Sequence, residues 1–394
     1  MSQREDFLQF QAQTTDYASG FEVDRAEGCY IYGRDGKRYL DLVAGVSACN
    51  MGHGHPSINK AIKDQVDQYL HVMVYGEYAQ DKPIELSKRL ASLLPEPLQS
   101  VYLVNSGTEA IEGALKLAKR YTRRSEIVAA KGAYHGATHG ALSVTGNDEW
   151  TRSMRPLLPG VRFLEFNRAE DLELITDQTA AVILETIQGA NGFVTPENDY
   201  LKRVRERCNE TGALLILDEI QPGFGRTGKL FGFQQYGIVP DILVVGKAMG
   251  GGLPIGAFIS SPKIMDVLRR NPMLGHITTF GGHPVPAAAA LAHLDALHHE
   301  GVMDQIERKE ALLRSELAHR AVKAQTGKGL MLALHLESAE LVQAVAKRAM
   351  DKGVILFWLL FTGNALRITP PLTISEDQIK EGCRVIRECL DELS

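Results

Sequence analysis

Two residues with chemistry to offer stand at the ends of apolar runs. Ile242-Leu243-Val244-Val245 leads through Gly246 into Lys247, and Ala248-Met249-Gly250-Gly251-Gly252 follows. Upstream, Leu214-Leu215-Ile216-Leu217 ends in Asp218. A lysine and an aspartate, each at the exit of a buried strand, suit pyridoxal phosphate chemistry. The amine bonds the cofactor's aldehyde, and the carboxylate faces its pyridinium nitrogen. A lysine just past a strand is also an ordinary surface group, so the rest of the chain has to decide.

Asn105-Ser106-Gly107-Thr108-Glu109-Ala110 joins an apolar run to a helical pattern. Free amides and the helix dipole at such a junction suit a phosphate, and Gly107 permits close backbone approach. An ordinary N-cap by Ser106 or Thr108 satisfies the same residues. Tyr134, beside His135, could stack on a flat ring or simply pack. Glu185 ends Val182-Ile183-Leu184, another strand exit.

Two other motifs lead nowhere. Gly223-Phe224-Gly225-Arg226-Thr227-Gly228-Lys229-Leu230 matches the dinucleotide fingerprint and nearly matches a P-loop. Leu230 cannot hold magnesium, and Glu219 to Pro222 separate the glycines from the strand, so both nucleotide readings fail on context. His53 and His55 are closely spaced, but their surroundings show no metal-finger spacing of Cys, Asp or Glu to complete a zinc set, so a structural turn is expected and no metal.

These residues need a scaffold, and the pattern supplies one. From about residue 100, strand runs alternate with helical periodicity: Val101 to Val104, Ile127 to Ala130, Ala181 to Leu184, Leu214 to Leu217, Ile242 to Val245 and Ile255 to Ile259. Ile111, Ala114, Leu115 and Ala118 fall on one helix face. Such near-continuous apolar strands predict a mostly parallel sheet covered on both faces. Before it, Cys29 to Tyr32 and Tyr39 to Leu42 flank Asp35-Gly36, a hairpin signal, and a helix is expected from Pro56. After residue 285 come expected helices Val285 to His299, Met303 to Val322 and Ala339 to Met350. Strands are expected over Leu330 to Leu336, near Val354 to Phe361 and over Leu366 to Thr369, with a last helix.

Composition narrows the class. The 394 residues carry a net charge of -5, which gives no support for a nucleic-acid partner. Five cysteines show no paired or metal-finger spacing, which fits a reducing compartment. The polar N-terminus has no signal region, and the longest apolar run, Val354 to Phe361, is too short for a bilayer. A soluble, cytoplasmic protein is expected.

Taken together, the motifs resemble the class III, or omega, aminotransferases, in particular the acetylornithine, ornithine and 4-aminobutyrate group. The resemblance runs from Gly33-Arg34-Asp35-Gly36-Lys37-Arg38-Tyr39-Leu40-Asp41 to Leu366-Arg367-Ile368-Thr369-Pro370-Pro371-Leu372. It is strongest from Leu217-Asp218-Glu219-Ile220-Gln221 to Gly246-Lys247-Ala248-Met249-Gly250-Gly251-Gly252-Leu253-Pro254. It implies an α/β, fold-type-one transferase with a mostly parallel seven-stranded sheet flanked by helices, and a small α+β domain. The divisions would be 1–50 (small domain), 51–285 (large, cofactor-binding) and 286–394 (small domain).

The resemblance also implies roles. Pyridoxal 5'-phosphate would be bonded by Lys247, paired by Asp218 at its ring nitrogen and by Gln221 at its phenolic oxygen. Ser106, Gly107 and Thr108 would hold its phosphate, Tyr134 would stack on its ring, and His135 and Glu185 would complete its surroundings. Thr279 would reach the phosphate of a neighbouring subunit's cofactor, making a homodimer. Arg367 would bind a substrate carboxylate. The implied reaction moves an amino group from an amino acid or omega-amine to a 2-oxo acid such as 2-oxoglutarate by a ping-pong course. Another reaction on the same scaffold (phospho-lyase, aminomutase or racemase) is the alternative.

Three residues depart from that group. Ala137 stands where relatives acting on ornithine or 4-aminobutyrate usually carry an arginine for the distal carboxylate. Ala190 replaces the glutamate that masks Arg367, and His283 replaces an asparagine. The donor is therefore left open.

Overall fold

The computed structural model describes residues 3–16 and 18–394; Met1, Ser2 and Tyr17, within the polar N-terminal stretch, lie outside the described residues. Strands β1 (Val23–Glu27), β2 (Tyr30–Gly33) and β3 (Arg38–Asp41) open the chain. The predicted turn at Asp35-Gly36 joins β2 to β3 antiparallel. Next come β4 (Ser100–Val104), β5 (Glu126–Ala130), β6 (Val161–Leu164), β7 (Thr179–Glu185), β8 (Leu214–Asp218), β9 (Ile242–Val245) and β10 (Gly256–Ser260). These seven make one sheet in the order β4-β10-β9-β8-β7-β5-β6.

Strands β9, β8, β7, β5 and β6 run parallel, while β10 is antiparallel to both of its neighbours. Apolar runs announced these strands except β6, an edge strand whose short run is broken by Arg162, because the others are covered on both faces; a run carries no mark of direction. The Gly107–Thr122 helix covers one face and buries Ala110, Ile111, Ala114, Leu115 and Ala118. Gly113 lets it approach closely: a Cβ there would lie 2.2 Å from the Phe258 ring.

Two further sheets tie the chain ends together. One has the order β1-β2-β3-β13, with β13 (Val354–Ile355) parallel to β3. The other has the order β11-β12-β15-β14, from β11 (Ala324–Lys328), β12 (Met331–His335), β14 (Phe357–Trp358) and β15 (Ala365–Ile368). The expected helix over Met303 to Val322 is shorter, running as helix only over Ile306–Glu316 after a tight turn. Edge strand β11 is polar and half exposed, so it carries no apolar alternation to betray it. The apolar run from Val354 divides because its first residues pair in one sheet and Phe357–Trp358 pair in the other.

Arg226 fastens these parts. It is fully buried and donates to Asn50 Oδ1 and to the carbonyls of Leu330 and Pro370, from three separate stretches. No helix among the described residues is long and apolar enough to cross a membrane.

His293 sits buried in the Pro284–His299 helix with both ring nitrogens unpartnered, and burial pushes its pKa down to about 4. Between about pH 4 and 6.5 the unfolded chain therefore binds the proton more readily. Its contribution to stability is complete above 6.5 and is lost as pH falls towards 4. Glu185 and Glu219, raised by burial, titrate with the opposite sign. The informative quantity is thus a difference: a His293→Leu protein should gain melting temperature over the parent as pH falls from 7 to 5. A constant difference across that range would refute the assignment.

Candidate active site

Ligand sites of open α/β sheets lie beyond the carboxyl ends of the strands. Here those ends deliver Glu185 from β7, Asp218 from β8 and Lys247 just past β9. They share a cavity of about 440 Å³ with Gly107, Thr108, Tyr134, His135, Ala137, Ala190, Gln221 and Arg367. Ser106 is not among the lining residues but caps the Gly107–Thr122 helix, whose first residue is. The described chain does not place Thr279 among the lining residues; it is exposed.

Lys247 opens a tight turn with φ +42°, a left-handed value that is strained for a lysine. Burial lowers its pKa, Asp218 and Glu185 resist that shift, and Arg367 adds to it. More of the amine is therefore neutral and nucleophilic than in a surface lysine.

Asp218 is buried and held on both oxygens. Oδ1 accepts from the Ile220 amide at 2.9 Å, and Oδ2 lies 2.8 Å from His135 Nδ1. His135 thus acts through Asp218, orienting it. Glu185 accepts from the amides of Tyr134 and Gly189 at 3.1 and 2.8 Å. Its pKa is pushed up to about 7 by burial first, with the Asp218 charge adding and His135 opposing. The adjacent Glu219 turns away and is pinned by Thr186, Gly232 and Phe233.

The N-cap posed above is present, and it leaves room for the phosphate reading beside it. Ser106 Oγ caps by accepting from the Glu109 amide, leaving the Gly107 and Thr108 amides without an acceptor inside the helix. Thr108 Oγ1 is 2.7 Å from Thr138 Oγ1, which fixes its position. A Cβ at Gly107 would meet the Ile220 side chain at 2.7 Å, so a larger residue there would force Ile220 to move.

Across the cavity, Arg367 presents Nε and Nη1 buried and unpartnered, and burial pushes its pKa down to about 10. Nothing replaces the missing mask at Ala190: no ion pair to Arg367 exists among the described residues.

Sequence reasoning missed one wall. Ala44 to Ser47 form a left-handed turn with φ of 50°, 59°, 61° and 64°. For non-glycine residues this conformation costs roughly 1–2 kcal/mol each. Asp41 offsets it: Oδ1 accepts from the Val43 and Ala44 amides, and Oδ2 lies 2.8 Å from His53. That partnership pushes the His53 pKa up to about 10, so His53 serves as a charged brace. The turn sets Val46 at the cavity and Ser47 Oγ 3.3 Å from Gln221 Nε2. Phe357, Trp358 and Leu360 also line the cavity, and only their apolar run hinted at them. His283 has a plain role, its Nδ1 accepting from the Val285 amide as a helix cap, the task an asparagine performs.

The donor set fits pyridoxal phosphate. It offers an anion cradle of free amides, a buried amine, a locked carboxylate and orphaned guanidinium donors. The profile of the aminotransferase class-III family matches residues 11–390. The chain belongs to the class-III aminotransferases. An acetylornithine aminotransferase of Caldanaerobacter subterraneus subsp. tengcongensis is 36% identical over 381 residues, with 94% of each chain covered. A putrescine aminotransferase of Pectobacterium atrosepticum is 39% identical over 91% of this chain and 79% of its own. An amine transaminase from an uncultivated Pseudomonas species, solved with pyridoxal phosphate, superposes with a TM-score of 0.91 at 29% identity. That match covers 98% of this chain and 99% of the other. As a class-III aminotransferase this protein uses pyridoxal phosphate, an amino donor and a 2-oxo acid.

Proposed function

We propose that transamination runs in this cavity with Lys247 as the residue bonded to the cofactor and as the proton carrier of the reaction. When bound, pyridoxal phosphate supplies an aldehyde for the exchange of nitrogen and a ring that withdraws electrons from the substrate carbon. Everything else is the chain's work. Asp218, steadied by His135, would keep a proton at the ring nitrogen, and Gln221 would hydrogen-bond the phenolic oxygen. Ser106, Gly107 and Thr108 hold the phosphate, Tyr134 covers the ring face, and Glu185 fixes the Tyr134 backbone. Lys247 Nζ would take up the proton that leaves the substrate carbon and give it back to complete the exchange. Arg367 takes a carboxylate.

The observation that carries this reading is the meeting of the Lys247 amine, the Asp218–His135 pair and the free Gly107 and Thr108 amides in one cavity. The working unit in this reading is a homodimer, with Thr279 reaching the neighbour's phosphate site. Thr279 is exposed among apolar Met273, Leu274, Ile277 and Phe280, and Phe280 touches His71 beside exposed Val72 and Met73. The β3–β13 pairing supports a small unit made of residues 1–50 and 286–394 around a large unit of 51–285. Five free thiols support a cytoplasmic setting.

The test is the first half-reaction. Holoenzyme mixed with a panel of amino acids and amines should lose its visible absorption with release of a 2-oxo acid or aldehyde. Product formation without that release, as from a lyase, aminomutase or racemase, would overturn the reading.

A further inference from the structure

Gln221 lines the cavity just past β8, and two loops outside the chemistry described above hold its amide. On one side the amide nitrogen donates to the buried Ser47 hydroxyl at 3.3 Å. On the other, the amide oxygen lies against Gly189, where an added Cβ would stand 2.4 Å from it. Gly189 has no left-handed backbone that would call for glycine, so its missing side chain serves as room for the Gln221 amide. The Gly189 amide is itself tied to Glu185 Oε1 at 2.8 Å, which fixes the loop at that point.

Ser47 is the more unusual of the two. Its φ of +64° is one that glycine adopts readily and serine does not. The loop is nevertheless anchored in that shape. Asp41, backed by His53, accepts from the Val43 and Ala44 amides. The Ser47 amide donates to the Val43 carbonyl at 3.1 Å, and that carbonyl also accepts from Thr369 Oγ1 at 3.0 Å. Thr369 directly follows β15, the strand that carries Arg367. A glycine at position 47 would suit the backbone, yet it would offer nothing to the Gln221 amide.

A side-chain amide nitrogen has two hydrogens to donate. Ser47 takes one, and the clamp leaves the other for the cavity that Gln221 lines. A reversed amide would set its carbonyl oxygen against the phenolic oxygen, acceptor against acceptor. Resting on the reading above, we infer that Ser47 and Gly189 are positioning residues, which act through Gln221 to aim an N–H at the cofactor's phenolic oxygen. Neither of them lines the cavity.

The test reads charge rather than turnover. An N–H donor favours negative charge on the phenolic oxygen, most of all once the nitrogen joining the cofactor to Lys247 has lost its proton. Loss of that proton changes the visible absorption of the holoenzyme, so the pH midpoint of the change reports the donor. Asp218, Glu185 and Arg367 also line the cavity and stay the same in parent and variants. Gln221→Met should raise the midpoint by about one pH unit. Ser47→Gly and Gly189→Ala should each raise it by roughly half a unit. The melting temperature of Ser47→Gly should not fall, because glycine relaxes the left-handed backbone. Ser47→Ala, which deletes the hydroxyl but keeps a Cβ, should match Ser47→Gly in midpoint. Adding either loop change to Gln221→Met should move the midpoint no further.

A parental midpoint in Ser47→Gly or Gly189→Ala, beside a raised one in Gln221→Met, would overturn the inference and leave the transaminase reading intact. Additive shifts in the double variants would do the same, as would a Ser47→Ala midpoint unlike that of Ser47→Gly. An unchanged midpoint in Gln221→Met would take Gln221 off the phenolic oxygen, and the inference would fall with that part of the reading.

Discussion

A Lys247→Ala protein should fold, hold pyridoxal phosphate without a covalent bond, and lose transamination by at least about 10⁴-fold. Two losses combine in this one change. The nucleophilic amine is gone, and so is the base that moves the substrate proton. Stability should change little, because the deleted cation is one whose burial already disfavours its charge, although Asp218 and Glu185 favour it. Lys247→Arg separates charge from chemistry: it keeps a cation beside Asp218 and Glu185 but removes the group able to form the bond. Both variants should be equally inactive. Borohydride reduction followed by peptide mass measurement should show cofactor attached to residue 247 in the parent alone. Turnover of either variant comparable to the parent would remove Lys247 from the chemistry.

The second large effect is expected at Asp218. Asp218→Asn preserves shape, and its carbonyl can still accept from the Ile220 amide. It removes the negative charge that, in the proposed reading, would hold a proton at the cofactor ring nitrogen, and it unsettles the bond to His135. We expect kcat to fall by about 10³-fold, a loss of the size found when a positioned proton is misplaced. Melting temperature should stay close to the parent's. His135→Asn should follow in the same direction with a smaller loss, since His135 orients Asp218 without supplying the charge. A kcat for Asp218→Asn within a few-fold of the parent would show that the carboxylate's charge is dispensable.

The central residues were legible because each ends a strand buried on both faces, and such strands read as unbroken apolar runs. Glu185, Asp218 and Lys247 were found in this way. Less could be read where the signal lies in pairing. Strand β10 is as apolar as its neighbours, and only its partners reveal that it runs backwards. Asp218 and Glu219 are adjacent acids, and the burial that sends one to the cavity and the other to Thr186 is invisible in their order. The left-handed turn carrying Val46 depends on Asp41 and His53, a brace assembled across two loops. Thr279 lies beyond what one chain decides, because it faces outward.

The two halves of the cavity come from different sheets. Glu185, Asp218 and Lys247 hang from the seven-stranded sheet, while Arg367, Phe357 and Trp358 belong to the β14–β15 ladder. Substitutions in the short stretch from Phe357 to Leu360 are therefore expected to change the shape of the cavity more than the placing of Glu185, Asp218 and Lys247. A lineage built this way is free to change diet while conserving its chemistry, and exchanging this one segment between homologues is the natural laboratory form of the same experiment.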